Sequence, residues 1–298
     1  MKNSRYLVHI GSVVAMMIWG MSYIWSTQVF KYLNPSTTIF FRLIISVIFM
    51  TVILLLTKRL EKIKKEDLPL FFLAAFLEPF LYFIFESYGL LYASPIISST
   101  FIATIPLFTP IAARFFLKEH LSTLNIMGFV CSFIGVVVML INKNLQLTSS
   151  PVGIIFLLLA VIVAVAYSIS LRKLSLLYNP LTVTLIQNII GCIYFIPMFF
   201  IMEKNTPSDF TGIGTYIIPL LCLGVFCSSV AYCLWTFAYR KLGASKANVY
   251  SNLIPVFTAI FSYFILKESV TTAKITGILL VFTGLILSQS KIKRHDNE

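Results

Sequence analysis

The sequence predicts an all-α integral membrane protein: ten transmembrane helices arranged as two inverted five-helix repeats. Three observations predict it. The 298-residue chain is 58% hydrophobic and only 11% charged, where an ordinary soluble domain carries about 25% charged residues. Its apolar residues fall in long runs such as LFFLAAFL, IIFLLLAVIVAVAY and GILLVFTGLIL, which are of membrane-spanning type. A 31-residue stretch also recurs 149 positions later.

About 20 apolar residues cross a bilayer as a helix. The first span, 7–29, is too long and too rich in Trp and Tyr to be a cleaved signal peptide. The second, 36–57, ends at the polar linker KRLEKIKKED (58–67). Spans 68–90, 95–116, 123–142, 152–174 and 181–202 follow, closed by EKNTPSDFTGI (203–213). The last three are 214–239, 244–266 and 272–290. The linkers leave no room for a separate soluble domain.

Lys and Arg placement sets the orientation. With a cytoplasmic N-terminus, 17 basic residues fall on the inner side, from Lys2 and Arg5 to Lys293 and Arg294. Five fall outside: Lys31, Lys143, Lys204, Lys267 and Lys274. Both termini should therefore face the cytoplasm, in a multi-pass protein of the cell inner membrane. The net charge of +12 lies between apolar runs and not on one helical face, which argues against a nucleic-acid partner. The five cysteines, 131, 192, 222, 227 and 233, sit in apolar segments without metal-ligand spacing and read as packing residues. No metal and no cofactor is expected.

The repeat lays IPLFTPIAARFFLKEHLSTLNIMGFVCSFIG (105–135) over IPVFTAIFSYFILKESVTTAKITGILLVFTG (254–284), with 14 of 31 positions identical. Four positions out of that register, YLNPSTTIFFR (32–42) matches LYNPLTVTLIQ (177–187), so Arg42 corresponds to Gln187. The halves are 1–146 and 147–298. Each holds five spans, and an odd number sends the second half through the membrane upside down. The LKE at 117–119 should then face the cytoplasm and the LKE at 266–268 the outside. Inverted repeats are a mark of secondary transporters.

With WGMSY (19–23), Arg42, and two copies of P-x-F-T followed by FLKE or ILKE and a Gly-containing span, the chain resembles the drug/metabolite transporter superfamily in its ten-helix EamA-type branch. That resemblance implies a carrier of small metabolites, often amino acids, with a central cavity between the halves. It says little about the substrate.

The residues that could carry transport sit where lipid argues against them. An acid at a helix centre costs about 2.5–3.5 kcal/mol on the insertion scale. Glu78 lies near the middle of the third span, and four-residue spacing puts Glu78, Tyr82 and Glu86 on one face. Pro79 should kink the helix beside Glu78; Pro106, Pro110 and Pro255 could act alike, or simply bend their helices. Arg42 is the one basic residue deep in a span, and its depth matches that of Glu86. An Arg42–Glu86 pair would lower the cost of both, as structural glue or as an outer gate. Glu78 then lacks a cation. In a low dielectric such a carboxyl resists ionisation, so it reads as a proton-coupling group, an ammonium ligand, or a neutral acid bonded to a neighbour.

Polar and aromatic stripes at helical spacing mark a cavity wall. They comprise Trp19, Ser22, Tyr23 and Ser26; Tyr167 and Ser170; Ser228, Tyr232 and Trp235; and Asn248, Ser251 and Asn252, with Ser99 opposite Asn248 in the repeat. Tyr239 and Trp25 read instead as interfacial belt residues. At offset 149, Glu78 faces Cys227 and Glu86 faces Trp235. One wall is thus anionic and the other aromatic, which favours a cationic, zwitterionic or aromatic solute. Gly128, Gly135, Gly277 and Gly284 read as packing positions. Lys118, Glu119, Lys267 and Glu268 read as structural or gating residues.

The expected activity is alternating-access transport of a small solute by a monomer or homodimer in the lipid bilayer, with proton coupling one reading. The rival is a membrane-embedded enzyme acting on a lipid-linked substrate. His9, His120 and His295 are scattered, and no HExxH, GxSxG or phosphate-cradling glycine loop appears. The chain therefore reads as no enzyme.

Overall fold

A computed structural model describes residues 2–108, 123–140 and 149–289. The first Lys-Glu corner at 117–119, with Arg114, Pro110, His120 and His295, lies outside the described residues, so the opposed placement of the two corners does too.

The described chain is all helical. Ten apolar helices follow one another: α1 (Tyr6–Val29), α2 (Pro35–Thr57), α3 (Lys65–Tyr92), α4 (Pro95–Phe108), α5 (Ile126–Leu140), α6 (Pro151–Leu177), α7 (Pro180–Asn205), α8 (Ile213–Leu242), α9 (Val249–Leu266) and α10 (Thr272–Gly284). Seven are long and apolar enough to cross a membrane; α4, α5 and α10 are shorter apolar helices. The ninth predicted span divides at its start, where a short helix, Ala244–Asn248, leads into α9.

Helix starts follow local rules. Four of the helices, α2, α4, α6 and α7, open on a proline in the first turn, where the missing N–H has no intrahelical partner to lose. Asn34 caps α2 by accepting from the Thr37 amide at 2.9 Å, and Asn179 caps α7 through the Thr182 amide at 2.8 Å.

Matched helices run antiparallel. Along α2 and α7, Thr37 meets Glu203, Phe41 meets Phe199, Ser46 meets Asn188, and Leu54 packs with Leu185. Along α5 and α10, Gly128 approaches Gly284, Ser132 donates to the Val281 carbonyl, and Gly135 approaches Gly277. These contacts are also reciprocal. Gly277 is the repeat counterpart of Gly128, and Gly284 that of Gly135. The Gly135–Gly277 and Gly128–Gly284 contacts are therefore one contact seen from each half, as a two-fold relation requires. The packing around the centre repeats in the same way: α6 lies along α3 and α4, and α1 lies along α8 and α9.

Small residues set the α5–α10 distance. A β-carbon on Gly284 would fall 2.3 Å from Ser132 Oγ and 2.4 Å from the Gly128 carbonyl. One on Gly277 would fall 2.1 Å from Met139 Cγ and 2.7 Å from the Gly135 carbonyl. Backbone cannot yield as a flexible side chain can, so overpacking here costs about 1–3 kcal/mol. Gly284→Ala should therefore lower the thermal midpoint in detergent by several degrees. Gly214→Ala, at a position with nothing within 4 Å, should leave it unchanged or raise it.

Candidate functional site

α3 is where the backbone breaks. Glu78 has φ −149° and ψ 118°, an extended conformation inside an otherwise helical run, and Pro79 follows. The turns from Phe76 to Leu81 widen to an i→i+5 pattern. Non-helical backbone at this depth must be paired inside the protein. Here Gln187 Nε2 of α7 meets the Glu78 carbonyl at 3.4 Å, and Gly191 gives Pro79 room, since a β-carbon there would lie 2.4 Å from Pro79 Cγ.

The break opens onto a small cavity of about 60 Å³. It is lined from α1, α2, α3, α4, α6, α8, α9 and the short helix before α9, hence from both halves. Of the residues expected at the site, Trp19, Tyr23, Arg42, Glu78, Tyr82, Glu86, Tyr167, Tyr232, Trp235 and Asn248 all line it. Ser22 and Ser251 from the polar stripes join them.

Ser99 and Asn252 do not line it. Ser99 Oγ donates to the Ile96 carbonyl of its own turn at 3.0 Å. Asn252 turns its amide back to the Val249 carbonyl. Tyr239, expected in an interfacial belt, is instead buried in the cavity wall, with its hydroxyl 2.6 Å from Asn248 Oδ1 and 3.0 Å from Ser168 Oγ. Its spacing from Trp235 carried that signal. Phe83 and Ser168 also line the cavity; both lie one position beyond residues the sequence singles out, Tyr82 and Tyr167, which is as far as a helical stripe resolves.

Three ionisable side chains of opposite kinds, two acids and one base, share this space. Glu86 Oε1 accepts from the Tyr23 hydroxyl at 2.7 Å and the Tyr82 hydroxyl at 2.8 Å. Glu78 Oε1 accepts from the Tyr232 hydroxyl, across the interface between the halves. Arg42 is the one cation among the described lining residues. Its expected partner was Glu86, but among the described residues Arg42 forms no ion pair within 4.0 Å. Its Nε donates to Ser228 Oγ at 2.8 Å, and the guanidinium lies 4.3 Å from the Phe83 ring centroid. Equal depth in the bilayer does not fix rotation about two helix axes, and Arg42 is turned toward α8.

The opposite wall is aromatic. Trp19 packs edge-on against Tyr232 and Trp235, with centroids 5.1 and 5.3 Å away, and Trp235 packs on Tyr239 at 5.1 Å. Trp19 Nε1 is held by the Cys227 carbonyl at 3.3 Å. Cys227, the repeat counterpart of Glu78, is buried behind this wall. Among the described residues no cluster of His, Cys, Asp and Glu could hold a metal ion.

The sequence pattern of the EamA-like transporter family matches residues 7–141 and again 151–289. The chain belongs to that family. It is thus a multi-pass membrane transporter of the drug/metabolite transporter superfamily, with two copies of the EamA domain and not an enzyme. An uncharacterized transporter of Archaeoglobus fulgidus is 27% identical over 269 residues, covering 90% of this chain and 94% of the relative. The uncharacterized transporter YcxC of Bacillus subtilis is 24% identical over 304 residues, covering 98% and 96%. A solved crystal structure overlays with a TM-score of 0.69 at 15% identity, across 94% of this chain and 97% of its own. It supports the fold alone.

These geometries separate cavity residues from neighbours. Tyr232→Phe frees the Glu78 oxygen that its hydroxyl occupies and should move solute-induced thermal stabilisation about tenfold toward lower concentration, since the competing hydrogen bond is worth about 1.5–3 kcal/mol. Ser99→Ala should leave the same titration within about twofold, because its hydroxyl serves only its own turn.

Proposed function

We propose that this transporter moves a small amine-bearing solute, an amino acid or a related cationic or zwitterionic compound, by alternating access across the cytoplasmic membrane. The carrying observation is the convergence of Glu78, Glu86 and Arg42 on one cavity between the halves, opposite an aromatic wall. Carboxylates attract an ammonium, the faces of Trp19, Tyr232 and Trp235 add cation–π attraction and apolar contact, and the guanidinium offers a counter-charge to a solute carboxylate. The tyrosine hydroxyls that now occupy the carboxylates are the donors a solute ammonium would replace.

Alternating access follows from the antiparallel pairing of matched helices: two similar halves, 1–146 and 147–298, exchange conformations and expose the cavity to each side in turn. The Lys/Arg distribution supports cytoplasmic termini. A gradient supplies the energy, and Glu78 is the group we assign to proton coupling. It sits at the break in α3, reaches the second half through Tyr232, and has no cation within 4.0 Å among the described residues. Its proton and the solute ammonium would compete for the same oxygen.

Uptake into proteoliposomes, measured over a panel of amines and amino acids with and without an imposed pH gradient, tests this. Wild type should concentrate an amine-bearing solute and respond to the gradient. Glu78→Gln should abolish the response to the gradient while still exchanging labelled for unlabelled solute. Glu86→Gln should keep the gradient response but bind about tenfold more weakly. Gradient-driven uptake unchanged in Glu78→Gln removes the coupling role. Preference for anionic solutes across the panel removes the substrate class.

A further inference from the structure

A second constellation of charge lies away from the cavity, at the helix ends where α2 stops, α7 starts and α8 stops. Lys58 and Arg59 follow α2; Arg240 and Lys241 close α8; between them Asn179 and Pro180 open α7. Together they surround one open recess. All four basic side chains are exposed. Among the described residues the ion pairs within 4.0 Å are Lys64–Glu66 and Lys274–Glu268, so none of the four has a carboxylate partner at that distance. The one acid among the described lining residues, Glu61, is turned to the helix start: its Oε2 accepts from the Asn179 amide at 2.6 Å.

The backbone around the recess is pinned, while the charged heads have no carboxylate within 4.0 Å among the described residues and Lys241 lies 5.9 Å from the Phe237 ring centroid. Asn179 Nδ2 holds the Arg59 carbonyl at 2.8 Å. Arg172 holds the Tyr239 carbonyl, and the Arg240 carbonyl at 3.2 Å. Lys58 sits at φ 52°, a left-handed turn that stops α2 and redirects the chain. Four cations gathered around the single carboxylate of Glu61, which already holds the start of α7, leave a net positive recess, and a further anion placed among them is attracted by all four.

The surroundings select the kind of anion. Leu55, Leu56 and Leu60 flank the basic pair with 68, 76 and 54% of their surfaces exposed. Such leucines beside Lys and Arg mark the level where acyl chains give way to headgroups. We propose that this recess binds the phosphate headgroup of an anionic phospholipid, whose acyl chains lie along the leucines of α2. The bound headgroup joins α2 of one half to α8 of the other, and so favours the conformation in which this end is closed.

Native mass spectrometry of the detergent-purified full chain, titrated with phosphatidylglycerol and with phosphatidylcholine, tests the site without requiring transport. Wild type should bind phosphatidylglycerol at least tenfold more tightly than phosphatidylcholine. The paired variants K58Q/R59Q and R240Q/K241Q should each weaken phosphatidylglycerol by about fivefold per charge removed. K62Q/K65Q, on the neighbouring linker but outside the recess, should bind within about twofold of wild type. The charge-preserving K58R/K241R should bind like wild type, which guards against a folding defect in the neutralised forms. Equal binding of the two lipids, or unchanged affinity in both paired variants, overturns the proposal. Displacement of the lipid by inorganic phosphate at matched concentration also overturns it, and assigns the recess to a soluble anion.

Discussion

The structure depends on a buried polar seam where α2, α7 and α8 meet. Lipid offers no hydrogen bonds, so polar groups inside such a bundle must find partners within the protein. Asn188 donates to Ser46 Oγ at 2.7 Å and to the Ser228 carbonyl at 2.9 Å; Ser46 Oγ lies 2.6 Å from Ser229 Oγ; Arg42 Nε donates to Ser228 Oγ. Every one of these residues is buried. The seam crosses from the first half to the second and fixes the rotation of α2 and α7 about their axes. That rotation turns the Arg42 guanidinium over Phe83 and into the cavity. It also lets Gly224 seat Ile45, whose Cγ2 would lie 2.4 Å from an added β-carbon, so that α8 approaches closely enough to share Ser228.

Around this seam the two halves repeat a backbone and diverge in chemistry. The wide turns of α3 run from Phe76 to Leu81, and those of α8 from Leu223 to Ala231. Subtracting the repeat offset of 149 places the second set at 74–82, over the first. Both halves therefore depart from regular α-helix at the same level, where the cavity lies, the first by a break at the extended Glu78 and the second by wider turns without a break. The side chains there do not match: Glu78 corresponds to Cys227, and Glu86 to Trp235. A solute would meet carboxylates on one side and indole on the other whichever way the site faced. On the proposed mechanism, symmetry would supply the two conformations and its local violation the selectivity.

Much of the fold was legible because lipid simplifies the code. Length and apolarity alone located ten helices, and the offset repeat of an odd number of spans implied the opposed directions that α2–α7 and α5–α10 display. Charged residues deep in spans, Arg42, Glu78 and Glu86, were legible as cavity residues for the same reason, since facing lipid would cost too much. Partners were less legible. The Arg42–Glu86 pairing rested on depth alone, which leaves two helix rotations free. Ser99 was placed by the repeat and Asn252 by its spacing from Asn248 and Ser251, yet the Ser99 hydroxyl and the Asn252 amide nitrogen each bond a carbonyl of their own turn. Tyr239 lies on the stripe of Ser228, Tyr232 and Trp235 but was read as a belt residue, although its hydroxyl closes a buried network with Ser168 and Asn248. The role of Glu203 was invisible, because its partners on α2, Asn34 and Thr37, lie 169 and 166 positions away in sequence.

That last residue exposes a device present at both ends of the α2–α7 pair. Each helix opens with Asn-Pro-x-Thr, and each cap engages an acid at the far end of the other helix. At the start of α2, Glu203 accepts from Asn34 Nδ2, Thr37 Oγ1, the Ser208 amide and Ser208 Oγ. At the start of α7, Glu61 accepts from the Asn179 amide, and its own amide donates to Thr182 Oγ1 at 3.2 Å. Across the pair Glu203 holds two donors from the start of α2, its other two coming from nearby Ser208, while Glu61 holds one from the start of α7, and hydrogen bonds to an ionised group are the strong ones. If the halves rock about this pair, the two ends do not open at equal cost. The weaker latch is the one ringed by Lys58, Arg59, Arg240 and Lys241, whose mutual repulsion works against closure there. An anion at that end would offset the difference between two latches that the repeat made alike and divergence made unequal.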